Sequence, residues 1–300
     1  MTNARRLTLP AVLLAALGFS TAASAASATL DKIKNSGEIT LGYRESSVPF
    51  SYLGSDQKPV GISIDLCMAV VEKLKTDLKM PNLKVNMTAV NPSNRIPLIQ
   101  SGTVDLECGS TTNSADRQKQ VAFSVATFAG QTSWLTTKAS GIKHVAELKG
   151  KTVAVTQGSY NYATAQKINK DEKLDLVFVQ PKDQAESLLM VRTGRAVAWF
   201  EDNILQAGLV AASPDPSALM FLPEHFGGTD YYGLMMPKGD AGFKAIVDGA
   251  IKEKMASGAF TKLYDKWFTQ PIPPNGQNLA LPMSAALKAR VAKPSDALTD

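Results

Sequence analysis

The sequence predicts an α/β protein made of two successive α/β units. Short apolar strands alternate with amphipathic helices along most of the chain, a pattern typical of a largely parallel sheet covered on both faces. The alternation begins near Ile39 and starts again after Gly150. The chain has 300 residues, a length that suits one large domain or two smaller ones.

The first 25 residues are predicted to be a secretory signal peptide. Arg5 and Arg6 give a positive start, residues 7–19 are mostly apolar, and Ala23-Ser24-Ala25 has the small-x-small form of a cleavage site. Cleavage after Ala28 is the alternative position, and an amphipathic N-terminal helix is the less favoured interpretation. No cysteine follows the apolar run, so we expect a free, soluble mature protein cleaved near Ala25.

The first unit is predicted to begin with a strand and to contain two helices. The helix over residues 61–80 carries apolar side chains at helical spacing, whereas residues 83–89 alternate as a strand does. A short helix over 95–100 ends at Ser101-Gly102. The predicted strands are residues 39–43, 83–89 and 104–108.

The second unit repeats the alternation and is followed by two further helices. Its predicted strands are residues 152–156, 174–179 and 196–200. Its predicted helices are residues 159–168, 183–193 and 202–212, and the later helices are 241–257 and 260–268. The segment after Pro271 is rich in Pro, Asn and Gly and is predicted to wrap the surface.

Charge and cysteine content exclude several classes of function. The net charge is +5, and removal of Arg5 and Arg6 lowers it by two to about +3, without a basic run that would suit nucleic acid. No later stretch approaches the roughly 20 apolar residues of a membrane span. An exported protein can form a disulfide between Cys67 and Cys108, but we slightly favour two buried thiols. With no CxxC motif, we expect no metal and no cofactor.

In doubly wound sheets, ligands bind beyond the carboxyl ends of the strands. The residues that follow the predicted strands include Arg, Ser, Thr and Asp, the types that bind a zwitterion. They are Arg44, residues 92–95, 109–112 and 157–160, and Glu201-Asp202.

Several short motifs occur in order along the mature chain. They are RESSVPFSY at 44–52, NRIPL at 94–98, ECGSTTN at 107–113, RQK at 117–119, FS at 123–124, LKGK at 148–151, KWF at 266–268 and PIPP at 271–274. With these motifs the sequence resembles the periplasmic glutamate/aspartate-binding proteins of amino-acid ABC transporters, in extracellular solute-binding protein family 3. Any one motif would be weak, but this many in order are specific, and they span nearly the whole mature chain.

The resemblance implies a two-lobe periplasmic-binding-protein fold (type II) with a ligand cleft between lobes joined by two crossing hinge strands. Lobe 1 would comprise residues 26–129 and 227–300, and lobe 2 residues 130–226. The lobes would close on an amino acid, and the closed monomer would dock in the periplasm on ABC permease subunits of the inner membrane.

The resemblance also implies a role for individual residues. Arg117 would bind the α-carboxylate, because a guanidinium matches a carboxylate bidentately. Ser110 and Thr112 would add hydroxyl or backbone contacts, with helix capping before Ala115 as the alternative. Asp202 would hold the α-ammonium group, with Glu201 as a rival and helix capping as the alternative.

Arg44 and Arg95 indicate an acidic ligand. In the family, these positions meet the side-chain carboxylate, whereas a lone Arg more commonly forms a surface ion pair. A neutral ligand would leave desolvated charges unpaired, at a cost of several kcal/mol. Tyr231-Tyr232, near the second crossing, are candidate cleft-lining residues.

Three positions depart from the family pattern. Pro92 stands in place of a Ser, Tyr160 in place of a small hydroxyl residue after Gly158-Ser159, and Gln184 in place of a His that assists the side-chain carboxylate. Ser159 and Gln184 still complete the candidate ligand set, since both can donate hydrogen bonds. Glutamate and aspartate therefore both stay open as the ligand, as do glutamine and asparagine.

Two other classes of function are compatible with the predicted fold. An exported dehydratase acting on a small carboxylate would use Glu201 or Asp202 as a general acid. A soluble sensor domain is the third alternative. The sequence shows no nucleophile–base pair, metal motif or phosphate loop, so we expect a binding protein and not an enzyme.

Overall fold

The computed structural model describes residues 27–299, so the predicted signal peptide and the cleavage site near Ala25 lie outside the described residues. Two mixed β-sheets, here called sheet I and sheet II, form two lobes, as predicted. Helices pack against both sheets. Among the described residues, no helix combines the length and apolar character needed to cross a bilayer.

Sheet I has five strands, which come from both ends of the described chain. In spatial order they are β5 (Lys84–Ala89), β1 (Glu38–Tyr43), β6 (Leu106–Cys108), β14 (Met235–Pro237) and β7 (Val121–Phe123). The first three are parallel, but β14 and β7 pair antiparallel. Four of the five strands therefore run in one direction, with β14 reversed between β6 and β7, which agrees with the prediction of a largely parallel sheet.

Seven helices of the described chain surround sheet I, and the longer ones bury an apolar face. The seven are α1 (Ala28–Ser36), α2 (Ile62–Asp77), α3 (Arg95–Gln100), α4 (Ala115–Gln118), α8 (Ala241–Ala256), α9 (Ala259–Phe268) and α10 (Ala285–Ala292). Helix α2 packs against α8 and α9 and buries Leu66, Val70 and Leu74 completely. Neither α1 nor α10 was predicted from the sequence.

Sheet II is continuous in sequence. Its path runs through β10 (Val177–Val179), β9 (Thr152–Ala154), β11 (Ala198–Asp202), β8 (Phe128–Thr137) and β12 (Leu219–Phe221), and β13 (Phe226–Tyr232) also pairs with β8. Its helices are α5 (Asn161–Asp171), α6 (Gln184–Arg192) and α7 (Asn203–Ala211). Here too β10, β9 and β11 are parallel, whereas β8 pairs antiparallel with its neighbours.

Strands β8 and β13 carry the chain between the two lobes. They pair with each other, with Phe128 opposite Tyr232, and the Thr127 N–H donates to the Tyr232 carbonyl at 2.8 Å. Phe128 and Tyr232 also pack against Phe50 of lobe 1. Two adjacent strands that connect two sheets are a suitable place for a hinge.

Cys67 and Cys108 form a disulfide, with their Cα atoms 6.1 Å apart. The preference for two buried thiols was therefore wrong. The sequence pattern placed Cys67 on the buried face of a helix and Cys108 at the end of a strand, but it did not show that α2 packs over β6. That packing brings the two residues within the Cα distance at which a disulfide forms.

A small three-stranded sheet and a long tail complete lobe 1. The small sheet contains β2 (Ser46–Ser47), β3 (Ser51–Leu53) and β4 (Pro59–Val60), and β2 contacts α6 and α7 of the opposite lobe. After α9 the tail crosses the surface, as predicted. Its Ser295 and Asp296 carbonyls accept hydrogen bonds from the Ala126 N–H and the Asn113 amide at 2.9 and 2.8 Å.

Candidate functional site

The cleft between sheets I and II contains most of the predicted site residues. Lobe 1 contributes Arg44, Arg95 and Arg117, which are 1%, 4% and 7% exposed. Ser110 and Thr112, between β6 and α4, are also buried. From sheet II come Gln184, at the start of α6, and Asp202, at the end of β11, and both are buried.

Arg44 follows β1 and reaches across the cleft. Its backbone N–H donates to the Ser51 hydroxyl at 2.8 Å, and its Nη2 donates to Gln184 Oε1 at 2.7 Å. Its Nη1 is buried without a hydrogen-bond partner among the described residues. Burial, together with the charge of Arg95, lowers the pKa of Arg44 to about 10. Arg44 is therefore a cleft residue and does not form a surface ion pair.

Arg95 begins α3 and belongs to a buried network with Thr111 and Glu107. Its Nη1 donates to Thr111 Oγ1 at 2.6 Å, and the Thr111 hydroxyl donates to Glu107 Oε2 at 2.7 Å. Glu107 Oε1 lies 3.8 Å from the same Nη1, and Arg95 Nε has no hydrogen-bond partner within residues 27–299. Neither Thr111 nor Glu107 was predicted. The available signal was an acidic residue between two apolar ones in a buried strand.

Arg117 lies in the short helix α4. Its Nη1 donates to the Thr112 carbonyl at 2.9 Å, and its Nη2 donates across the cleft to the Gly158 carbonyl at 3.3 Å. Burial and the nearby charge of Arg95 lower the pKa of Arg117 to about 9. Arg117 is therefore a buried cleft residue and not a solvated arginine on the helix surface.

The predicted capping alternative for Ser110 and Thr112 is also wrong. Ser114 caps α4, because its side chain accepts a hydrogen bond from the Arg117 N–H at 3.4 Å. The Ser110 hydroxyl is buried and has no hydrogen-bond partner in the described part of the chain. It is therefore free to contact a ligand.

Two adjacent carboxylates, Glu201 and Asp202, end β11. Asp202 accepts from the Asn161 amide at 3.1 Å and from the Tyr232 hydroxyl. Glu201 accepts from the Thr156 hydroxyl at 2.9 Å, from the Asp202 N–H at 3.1 Å and from the same Asn161 amide.

Burial governs the electrostatics of this pair. It raises the pKa of Glu201 to about 7, with a further contribution from the charge of Asp202, and it also raises the pKa of Asp202. Asp202 is the residue before α7, but its side chain makes no capping bond there. Asn161 was missed because the start of a helix gives no sign of a partner 40 residues away.

The remaining predicted residues lie at the mouth of the cleft. Ser159 is half-buried, and its hydroxyl accepts from the Asn161 N–H at 3.1 Å. The Tyr160 ring lies 5.8 Å from the Arg117 guanidinium and is partly exposed. Gly158, with φ of 74°, packs so closely on the Pro92 backbone that an added Cβ would lie 2.7 Å from the Pro92 carbonyl oxygen. All three departures thus lie where the lobes meet, since Gln184 accepts a hydrogen bond from Arg44 of lobe 1.

The cleft can bind a molecule that carries both signs of charge. Three guanidinium groups lie on one wall and two carboxylates on the other. Buried donors without a partner strongly favour an acceptor, and a carboxylate is the strongest one for a guanidinium. Within residues 27–299 no group of three or more His, Cys, Asp or Glu side chains is placed to hold a metal ion.

Comparison with known proteins agrees with this geometry. Residues 39–270 match the family described as bacterial extracellular solute-binding proteins, family 3. The chain is 46% identical over 299 residues to the L-glutamate/L-aspartate-binding protein of Pseudomonas aeruginosa. The matched region covers 99% of this chain and 98% of that protein. It is 43% identical over 277 residues to the glutamate/aspartate import solute-binding protein of Escherichia coli, and this match covers 92% of this chain and 91% of that protein. Both relatives are named for binding or import and not for a reaction.

A solved structure with the same fold is an ancestral amino acid-binding protein described as a precursor of cyclohexadienyl dehydratase. It is 26% identical, has a TM-score of 0.67, and covers 80% of this chain and 100% of that one. The predicted two-lobe fold is confirmed by this likeness and by the family match.

Proposed function

Because this chain belongs to the bacterial extracellular solute-binding proteins of family 3, we propose that it captures glutamate or aspartate and delivers it to an ABC import permease. The observation that carries this proposal is the group of three buried guanidinium side chains, Arg44, Arg95 and Arg117, opposite Glu201 and Asp202. The names of the P. aeruginosa and E. coli relatives support an acidic amino acid.

The α-carboxylate and α-ammonium groups bind at opposite walls. Arg117, oriented by the Thr112 and Gly158 carbonyls, binds the α-carboxylate, and the Ser110 hydroxyl and the Thr112 backbone contribute further hydrogen bonds. Asp202 accepts from the α-ammonium group. Glu201 is the weaker candidate, because it already accepts three hydrogen bonds from Thr156, Asn161 and the Asp202 N–H.

The side-chain carboxylate binds between Arg44 and Arg95. Arg44 Nη1 and Arg95 Nε are buried donors without a partner among the described residues. Gln184 receives the Arg44 Nη2 hydrogen bond through Oε1, which leaves its amide group to donate to the same carboxylate. Ser159 contributes from the mouth of the cleft through its hydroxyl.

Closure of the lobes retains the ligand. Lobe 1 comprises residues 26–129 and 227–300, and lobe 2 residues 130–226, with the hinge in β8 and β13. The bonds from Arg44 to Gln184 and from Arg117 to Gly158 join the lobes when they are closed. The periplasmic protein acts as a monomer, and its closed form docks on the permease subunits in the inner membrane.

Calorimetric titration tests this function. The mature protein is unfolded and refolded to remove carried-over ligand, then titrated with L-glutamate, L-aspartate, L-glutamine and L-asparagine. We expect the acidic amino acids to bind at least about 100-fold more tightly than the amides, because an amide leaves buried guanidinium charge unpaired. Arg95→Ala should abolish this preference.

The matched control is Arg192→Ala, which removes an exposed arginine from α6 and should leave binding unchanged. Tighter binding of an amide, or no binding of any of the four, would contradict the proposal. Recovery of the ligand unchanged after prolonged incubation separates a carrier from the dehydratase alternative, since an enzyme would consume it.

A further inference from the structure

Glu107 lies on the lobe 1 side of the cleft and is fully buried in the short strand β6. Successive side chains of a strand point to opposite faces. Cys108 is bonded to α2 on one face, so Glu107 points to the other, where Arg95 lies. The position of the Glu107 side chain depends on the glycine at residue 109, because a Cβ on Gly109 would overlap Glu107 Oε1.

The Glu107 carboxylate lies next to Arg95, and its charge also acts on Arg44 and Arg117. Burial and the charge of Arg95 lower the pKa values of both Arg44 and Arg117, and the charge of Glu107 opposes that effect in each case. Its Oε1 lies 3.8 Å from Arg95 Nη1 and accepts no hydrogen bond from the described residues. Glu107 therefore acts on the arginines mainly through its charge.

Glu201 and Asp202 belong to sheet II on the opposite wall, and Asp230, whose carboxylate is near enough to interact with the charges of Asp202 and Arg117, belongs to β13 of the same sheet. The lobe 1 wall thus combines three guanidinium groups with one carboxylate and has a net charge of about +2, since the arginines stay protonated at neutral pH. A glutamate or aspartate ligand has two carboxylate groups. The charge of this wall therefore equals the negative charge that the ligand presents to it.

We propose that Glu107 is a specificity-determining residue that neutralises one of the three arginine charges, so that the cleft is matched to a ligand with two carboxylates. The inference rests on the proposed function and deepens it, because it names the group that sets how strongly the cleft discriminates acidic from amide ligands. Glu107 acts through Arg95, Arg44 and Arg117 and need not touch the ligand.

The decisive measurement is the ratio of the glutamine and glutamate dissociation constants. Glu107→Gln keeps the shape and an acceptor for Thr111 but removes the charge, leaving the wall at about +3. The ratio of the glutamine to the glutamate dissociation constant should rise about tenfold. The additional positive charge in the partly buried cleft attracts glutamate, with two carboxylates, more strongly than glutamine, with one. A merely structural loss would weaken both ligands equally and leave the ratio unchanged.

Asp105→Asn is the matched control. Asp105 is buried just before β6, and its carboxylate pairs with Lys32 at 2.8 Å and accepts from the Thr40 N–H, away from the arginines. This variant removes the same charge from the same segment and should keep the wild-type ratio. Glu107→Asp, which keeps the charge, should weaken the binding of both glutamate and glutamine. The ratio of their dissociation constants should stay within about threefold of the wild-type value.

The outcomes separate this inference from the proposed function. Wild-type protein that binds no acidic amino acid overturns both. Wild-type protein that binds glutamate, together with an unchanged ratio in Glu107→Gln, overturns only the role of Glu107. If Glu107→Gln does not fold by circular dichroism, Glu107→Ala serves as the second neutral variant: a rise of about tenfold in the ratio supports the inference, and an unchanged ratio overturns it.

Discussion

Single residues set the charge of the two cleft walls: three buried arginines on lobe 1 lie opposite Glu201 and Asp202. Arg44 and Arg95 could be predicted because each follows a predicted strand, where α/β proteins bind ligands, whereas Arg117 was identified through the family resemblance. Glu107 and Thr111 could not be predicted, because a strand of three residues gives no periodicity that shows which face its central side chain takes. Capping and ligand binding also favour the same residue types, so Ser110 and Asp202 were ambiguous until the partners of their side chains were known.

The buried pair Glu201–Asp202 predicts a pH-dependent stability. Burial, with the charge of Asp202, raises the pKa of Glu201 from 4.5 to about 7. The folded protein then holds a proton that the unfolded chain loses, so the free energy of unfolding should fall as pH rises from about 4.5 to 7. In Glu201→Gln the fall in the free energy of unfolding over this pH range should be smaller by about 3 kcal/mol, the free energy that corresponds to the pKa shift of Glu201.

Urea unfolding of the ligand-free protein at pH 5 and pH 7.5 measures this difference. Glu172→Gln, at an exposed acidic residue just after α5, is the control and should keep the wild-type pH dependence. Equal pH dependence in wild type and Glu201→Gln would show that Glu201 is not the group responsible.

At the scale of elements, the sequence predicted those with a clear period and missed those defined by their partners. The helix over 61–80 and the strands at 39–43 and 83–89 correspond to α2, β1 and β5 within a few residues. In contrast, β14 has three residues, β13 contains Gly227 and Gly228, and both become strands only by pairing with distant segments. Tertiary pairing, and not local propensity, decides such strands.

The tail after α10 predicts an effect on ligand binding. The Asp296 carbonyl accepts from Asn113 and, at 3.5 Å, from Gln118, residues on either side of Arg117, and the Ser295 carbonyl accepts from Ala126 just before β8. Truncation after Ala292 should weaken glutamate binding several-fold and lower the free energy of unfolding by about 2 kcal/mol, since three donors lose their acceptors.

Asp296→Ala is the control for the tail. It keeps the backbone carbonyl and removes only the ion pair with Lys244, which retains Asp248 as a partner. Calorimetry and urea unfolding should place this variant near the wild type. A truncated protein with unchanged affinity would mean that the tail does not position Arg117.

For the whole molecule, closure depends on close backbone packing between the lobes. Gly208 in α7 lies against lobe 1, and a Cβ there would come within 2.5 Å of the Val48 carbonyl oxygen. Gly208→Val should therefore hold the lobes apart and weaken glutamate binding at least about tenfold, mainly through faster dissociation. Small-angle scattering should show a larger radius of gyration with saturating ligand than in the wild type.

Ala163→Val is the matched control, because it introduces the same β-branched residue at an exposed position of α5 in the same lobe. It should bind and close like the wild type. If Gly208→Val binds glutamate with wild-type affinity, the close contact between α7 and lobe 1 is not needed for capture.

The placement of β14 between β6 and β7 has a consequence for the order of assembly. All strands of sheet II lie between residues 128 and 232, whereas sheet I lacks an internal strand until residue 237 is present. In a chain that emerges from its amino end, lobe 2 is complete before lobe 1 can be. Contacts between residues far apart in the chain form late, so we expect the lobe that holds both ends of the described chain to be finished last, around an insert that is already folded.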